Sequence, residues 1–245
     1  MTTVTLDDGL VLLAPGGVFA PDLSLLVVAD LHGGTVPTLR HRGYALPDAG
    51  DEALHEKLRA LLAETDPRTV AVAGDLIHGR GATLARGGES ALSALLALFE
   101  GRSLVVVPGN HDGAAAPWLE RPGVTVTERY ALGPHVVLHG DEDPPALKAL
   151  RDACLARGGR VLAGHLHPAL TLQGGGARRR VPAFAWAPGW LSLPALSPWA
   201  RGAELRSRQH ARPLEAVVPA EELSLAVVLA RGVVPVGTLA RVRQA

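Results

Sequence analysis

Six short apolar runs punctuate this chain, at residues 10–13 (LVLL), 24–29 (SLLVVA), 69–73 (TVAVA), 103–107 (SLVVV), 136–138 (VVL) and 160–163 (RVLA). They are mostly apolar throughout rather than alternating, which predicts strands covered on both faces. Between them the period of the apolar positions changes. In 51–65, Leu54, Leu58, Leu61 and Leu62 fall on one face of a helix, with Asp51 as its cap. In 88–100, Leu92, Leu95, Leu96 and Phe99 make a similar stripe. In 144–157, Asp143 caps a helix with Pro144 at its first position, and Leu147, Leu150 and Cys154 make the stripe. Strand alternating with helix predicts an α/β layered fold. Residues 174–215 lose the helical period. They hold three consecutive Gly, three consecutive Arg, several Pro and three Trp, and they read as loops and short strands. Residues 223–239 predict a closing hairpin that turns near Arg231-Gly232. No internal repeat or linker divides the chain. The expectation is one domain over 1–245, with 174–245 as a loop-rich, β-forming closing segment.

At 245 residues and 47% hydrophobic composition, the chain can bury a sizeable core and is not of the disordered class. No apolar run approaches the ~18 residues of a membrane span. The start, MTTVTLDDGL, has neither a basic patch nor a continuous apolar stretch, so it does not read as a signal peptide. The one cysteine, Cys154, excludes an internal disulfide, which fits a reducing cytoplasm; its place on a helical stripe reads as packing. Net charge is zero but unevenly spread. Residues 1–145 carry 10 basic and 19 acidic side chains (10 − 19 = −9), and residues 146–245 carry 14 and 5 (14 − 5 = +9). The basic excess suits a polyanion or a solvated, Arg-biased surface: 22 of the 24 basic residues are Arg.

Candidate chemistry sits at the ends of the apolar runs. Five clusters follow them: Asp30-Leu31-His32, Gly74-Asp75, Gly109-Asn110-His111-Asp112, His139-Gly140 and Gly164-His165-Leu166-His167. Loops at the C-terminal ends of strands form the usual crevice of an open α/β sheet, so residues distant in sequence can converge there. Two divalent ions ~3.5–4 Å apart can clamp the attacking and leaving oxygens of a phosphoryl displacement. Asp75 is the natural bridge between such ions. The remaining candidates divide into Asp30, His32 and His167 for one ion and Asn110, His139 and His165 for the other. An O/N donor set without thiolates favours Mn, Fe or Zn.

The segments VADLH (28–32), AGDLIH (73–78), PGNHD (108–112), LHG (138–140) and GHLHP (164–168) resemble the calcineurin-like metallophosphoesterase superfamily. The resemblance implies a four-layer α/β/β/α sandwich, the ligand division above and a metal-bridging hydroxide as nucleophile. It also implies that His111 stabilises the phosphoryl group or protonates the leaving oxygen, with Asp112 as its hydrogen-bonded orienter. Within the superfamily the chain looks like the DNA-ligase-associated metallophosphoesterases, on narrower signs: His78, the Arg42-Gly43…Pro47 segment, Pro168, and Leu193-Pro194-Ala195. That likeness implies a DNA substrate, two Mn²⁺ ions, and work beside a ligase and helicase in repair. One departure stands out: where that family continues its first motif with Leu-Gly-Lys, this chain has Gly33-Gly34-Thr35. No basic residue stands there to contact a phosphate.

Other residues carry weaker expectations. Arg40 and Arg42 are candidate phosphate contacts, and His78 is a candidate substrate contact or a support for Asp75. His135, four residues before His139, is an alternative ligand. His41, His55 and His210 read as surface or packing residues. Arg178–Arg180 suit a nucleic-acid backbone or a solvated loop. Trp186, Trp190 and Trp199 suit packing better than base stacking. Three function classes follow: a nuclease of DNA repair, a phosphodiesterase or phosphatase on nucleotide-sized substrates, and a non-catalytic metal-binding interaction module.

Overall fold

The computed structural model describes residues 2–46, 51–78 and 89–244. Two sheets face one another. The first runs in the order of the chain, β1 (Val4–Thr5), β2 (Val11–Leu13), β3 (Gly17–Ala20), β4 (Leu25–Ala29), β5 (Thr69–Ala73), β6 (Ser103–Val107) and β7 (Val124–Val126). It is antiparallel as far as β4 and parallel from β4 to β7. The second holds β8 (Tyr130–Leu132), β9 (His135–Leu138), β10 (Val161–Ala163), β11 (Pro168–Gly174), β12 (Ala177–Ala187), β13 (Trp190–Ser192), β14 (Ala203–Glu204), β15 (Ser224–Leu229) and β16 (Gly232–Thr238). Its centre, β9–β10–β13, is parallel. Helices cover the outer faces: α1 (Thr35–His41), α2 (Glu52–Thr65), α3 (Glu89–Ala97) and α4 (Ala116–Leu119) follow strands of the first sheet, and α5 (Pro144–Leu155), α6 (Arg208–Glu215) and α7 (Leu239–Val242) belong with the second.

Along the central strands β4, β5, β6, β9 and β10 the side chains alternate between two buried layers, which is why these strands read as continuous apolar runs. Val27, Ala71 and Val105 of the first sheet meet Val137, Leu162, Phe184 and Leu191 of the second in the middle layer. Their sequence neighbours Leu26, Val28, Val70 and Val72 point the other way, onto Leu54, Leu58 and Leu61 of α2 and Leu92 and Leu95 of α3. On the far side, Val136, Leu138, Val161 and Ala163 pack on Leu147 and Cys154 of α5, Ala211 and Leu214 of α6, and Leu239 of α7. The result is the expected α/β/β/α sandwich. Among the described residues no helix is long and apolar enough to cross a membrane.

The expected cap of α5 forms, and the differences from the sequence expectations have local causes. Asp143 caps α5 by accepting from the Ala146 N–H at 2.9 Å. Asp51 does not cap α2; its carboxylate accepts from the Gly34 N–H, also at 2.9 Å, and ties the helix to the loop after β4. Within 174–215, β12 extends over 11 residues, and α6 occupies a stretch expected to lack helix. The only buried residues of α6 are Ala211 and Leu214, so its apolar stripe is too thin to register as a period. The closing hairpin forms as β15 and β16, turning at Ala230-Arg231.

Candidate metal centre

Register brings the clusters together. Ala29, Ala73 and Val107 are aligned across β4, β5 and β6. Leu138 and Ala163 are aligned across β9 and β10. The next residues, Asp30, Gly74-Asp75, Pro108–Asn110, His139 and Gly164-His165, therefore leave both sheets at one edge. The approach is close enough to demand glycine. A Cβ on Gly74 would fall on the His139 ring, and one on Gly109 would fall on Asp75. One on Gly164 would lie 2.7 Å from Asp30 Oδ2.

Among the described residues, seven that are not glycine have positive φ, and five of them are Asp30, His32, Asp75, His165 and His167. Each such conformation costs about 1–3 kcal/mol, so the surroundings must impose it. Hydrogen bonds from backbone N–H groups between these loops do so. The His32 N–H donates to the Asp75 carbonyl (2.8 Å), the His165 N–H to Asp30 Oδ2 (2.8 Å), and the His111 N–H to Asp75 Oδ1 (3.0 Å). Concentrated strain of this kind marks a functional site rather than a generic loop.

The donor atoms form two adjoining groups. Asp30, His32, Asp75 and His167 each offer one atom, all within 4.8 Å of one another. His167 Nε2 lies 3.3 Å from Asp30 Oδ2, and His32 Nε2 lies 3.6 Å from Asp75 Oδ2. Beside them, His139 Nε2 lies 3.2 Å from Asn110 Oδ1 and 3.1 Å from His165 Nδ1. His139 Nδ1 lies 3.6 Å from Asp30 Oδ1. Three of these atoms, Asp30 Oδ1, His139 Nδ1 and His167 Nε2, are buried with no hydrogen-bond partner. Buried polar atoms are normally satisfied, and a divalent cation would satisfy these. The protonation states of His32 and His165 agree. Burial, followed by the charges of His167, His78, His111 and His139, holds the His32 imidazole down to about 3, so its ring is neutral and free to ligate. Burial likewise lowers His165. For His167 burial again disfavours charge, but the adjacent Asp30 carboxylate, with Asp75, outweighs it and raises the pKa.

His111 sits over this floor. Its ring stacks on His78 (centroids 5.5 Å apart, 16° between planes) and meets His32 edge-on at 5.4 Å. The expected bond from Asp112 to that ring is absent. Asp112, 3% exposed, instead accepts from the backbone N–H groups of Leu76 (3.1 Å), Ile77 (3.0 Å) and Gly109 (2.9 Å), and His111 Nδ1 has no partner. Its carboxylate is consumed in clamping the two loops that carry Asp75 and Asn110. Burial, opposed by these three bonds, raises its pKa.

The remaining candidates scatter. His78 is half-buried against His32 and His111. Arg40 and Arg42 are exposed at the end of α1, with Arg42 near enough to His78 to disfavour its protonation. Pro47 lies outside the described residues. His135 cannot replace His139, because it stands at the opposite end of β9, where its Nδ1 accepts from the Arg160 N–H. His55 is buried on α2, whereas His41 and His210 are exposed. Trp190 is core and Trp186 half-buried, but Trp199 is 43% exposed on the segment beside His167 and His32. Lys57 and Arg201, which no sequence pattern singled out, line a groove that starts at His167.

The sandwich with this edge of carboxylates, imidazoles and one amide defines a metal-dependent phosphoesterase. A family model described as calcineurin-like phosphoesterase matches residues 23–141. It is similar to the crystal structure of the Pseudomonas putida nuclease MPE, with 26% identity and a TM-score of 0.67, over 96% of this chain and 99% of that one. A single mutant of Vps29 from Entamoeba histolytica shares 20% identity over 82% of this chain and 84% of its own, with a TM-score of 0.33. No curated protein matches the chain.

Proposed function

We propose that this protein is a two-metal phosphodiesterase that cleaves DNA as an endonuclease, with Mn²⁺ as its metal. The observation that carries the reading is the meeting of two donor groups, Asp30/His32/Asp75/His167 and Asn110/His139/His165, at one edge of the sandwich. The near full-length likeness to a nuclease supports nucleic acid as the substrate. A donor set of carboxylate oxygens, imidazoles and one amide oxygen, with no thiolate, favours Mn²⁺, with Fe or Zn as alternatives. Ions held there would supply Lewis-acid chemistry, offsetting charge on the phosphoryl oxygens and making an attacking water more acidic.

The chain's own groups do the rest. Asp75, in the first donor group, is oriented through Oδ1 by the His111 N–H and would serve both ions. His111, whose ring faces the same floor, donates a proton to the leaving oxygen, and His78 holds it by stacking. The likeness to ligase-associated proteins supplies the frame of DNA repair in the cytoplasm, beside a ligase and a helicase; genome context tests that frame.

The experiment is Mn²⁺-dependent cleavage of supercoiled plasmid, a nitrophenyl phosphodiester and the matching monoester, by wild type and Asp75→Ala. Plasmid nicking with diester turnover, both lost in the variant, is expected. Turnover of the small esters with intact plasmid would move the assignment to nucleotide-sized substrates. Normal activity of Asp75→Ala would refute the site.

A further inference from the structure

A groove of about 600 Å³ opens beside the donor cluster. His167 stands at its head, and the remaining charged lining residues are Lys57, Arg179, Arg180 and Arg201, with no Asp or Glu among them. The four come from three separate places: α2, β12 and the 193–202 segment between β13 and β14. Arg180 serves the wall itself: its Nη1 donates to the Gly202 carbonyl at 3.3 Å, and its Nε lies 3.8 Å from Glu204 Oε2. Lys57 Nζ donates to the Leu196 carbonyl at 2.8 Å beneath the groove, where burial holds its pKa below the usual ammonium range. Arg179 and Arg201 make no ion pair with any described residue. Two unpaired guanidiniums and a partly buried ammonium gathered from distant segments concentrate positive charge on one path out of the centre. Arg forks suit phosphate oxygens geometrically as well as electrostatically.

We infer that this groove, through Arg179 and Arg201, seats the phosphates of a polynucleotide strand next to its scissile phosphodiester at the His167 end. The inference rests on the nuclease reading above and deepens it, by giving the strand a direction from the centre toward β12. It also accounts for part of the basic excess of residues 146–245: three of its 14 basic side chains line the groove.

The test compares wild type, an Arg179→Gln/Arg201→Gln double variant and an Arg179→Lys/Arg201→Lys double variant. Probes are a long oligonucleotide and a nitrophenyl phosphodiester that has no flanking phosphates. Mn²⁺ content and the unfolding midpoint report that each variant is intact. Counterion release makes each lost phosphate contact worth roughly 5-fold in affinity near 0.1 M salt, so two contacts predict roughly 25-fold. The expected result is that this loss falls on the oligonucleotide KM, that the oligonucleotide-to-diester ratio of kcat/KM drops by the same factor, and that the salt dependence becomes shallower. The Lys variant recovers most of it. An unchanged ratio and salt slope in the Gln variant, with wild type cleaving the oligonucleotide, would overturn the groove assignment alone. Failure of wild type to cleave any oligonucleotide while turning over the diester would overturn the nuclease reading, and the groove inference with it.

Discussion

Asp112 is the most informative side chain to change, because sequence pattern and structure assign it different work. As an orienter of His111 it would act on catalysis; in the structure it accepts three backbone N–H groups at 2.9–3.1 Å and does not touch the His111 ring. Replacing it with Ala leaves three donors without a partner. Those of Leu76 and Ile77 belong to buried residues, and that of Gly109 to a half-buried one. Each unsatisfied buried donor costs about 1–3 kcal/mol, and water entering the space of the missing carboxylate recovers part of this, so the net loss is about 3 kcal/mol. With stabilities of roughly 5–15 kcal/mol the protein still folds, and the midpoint of thermal unfolding drops by roughly 6–12 °C at this chain length. The same clamp positions Asp75 and Asn110, so Mn²⁺ binds more weakly, while turnover returns at saturating Mn²⁺. Asp112→Asn keeps one acceptor and loses less on both counts. Thermal unfolding, Mn²⁺ titration and diester turnover of the two variants decide the matter. Unchanged stability in Asp112→Ala, with a turnover loss that saturating Mn²⁺ does not restore, would show that the carboxylate acts on His111 after all.

Four further outcomes are expected. His111→Ala lowers turnover by roughly 10²–10⁴-fold while the Mn²⁺ content measured by elemental analysis stays near the wild-type value; loss of both metals would make His111 a ligand. Gly74→Ala drives a methyl into the His139 ring, so the variant retains about one Mn²⁺ rather than two, read by the same method. Cys154 is fully buried and burial raises its thiol pKa, so it resists alkylation in the native protein at neutral pH and reacts once unfolded, as mass spectrometry would record. In metal-free protein, the folded state holds the His32 pKa near 3 against 6.5 when unfolded, so below pH 6.5 the unfolded state binds more protons. Its contribution to stability is therefore lost as pH falls from 6.5 toward 3, with His167 opposing it, and chemical denaturation across that range should show a falling midpoint.

The chain alone determined more of this protein than is usual. Strands buried on both faces have to be apolar at every position, so β4, β5, β6, β9 and β10 were legible as unbroken runs. Helices with a wide stripe, such as α2 and α5, were legible by period. The site candidates were legible because each follows a strand end and because glycine stands beside most of them, at 74, 109, 140 and 164. What stayed hidden depended on partners distant in sequence. The helix α6 buries only Ala211 and Leu214 and holds Pro213 inside it, so its apolar stripe is two residues wide and reads as loop. The use of Asp112 could not be read from its place beside His111, since its acceptor capacity is spent on Leu76 and Ile77, more than thirty residues away. The left-handed backbone at Asp30, His32, Asp75, His165 and His167 is likewise a product of assembly: local preference opposes it, and hydrogen bonds between loops distant in sequence, within the first sheet and across to the second, hold it. The groove of Lys57, Arg179, Arg180 and Arg201 draws on three segments, so composition reveals an excess of charge and only packing gives that charge a place beside the centre.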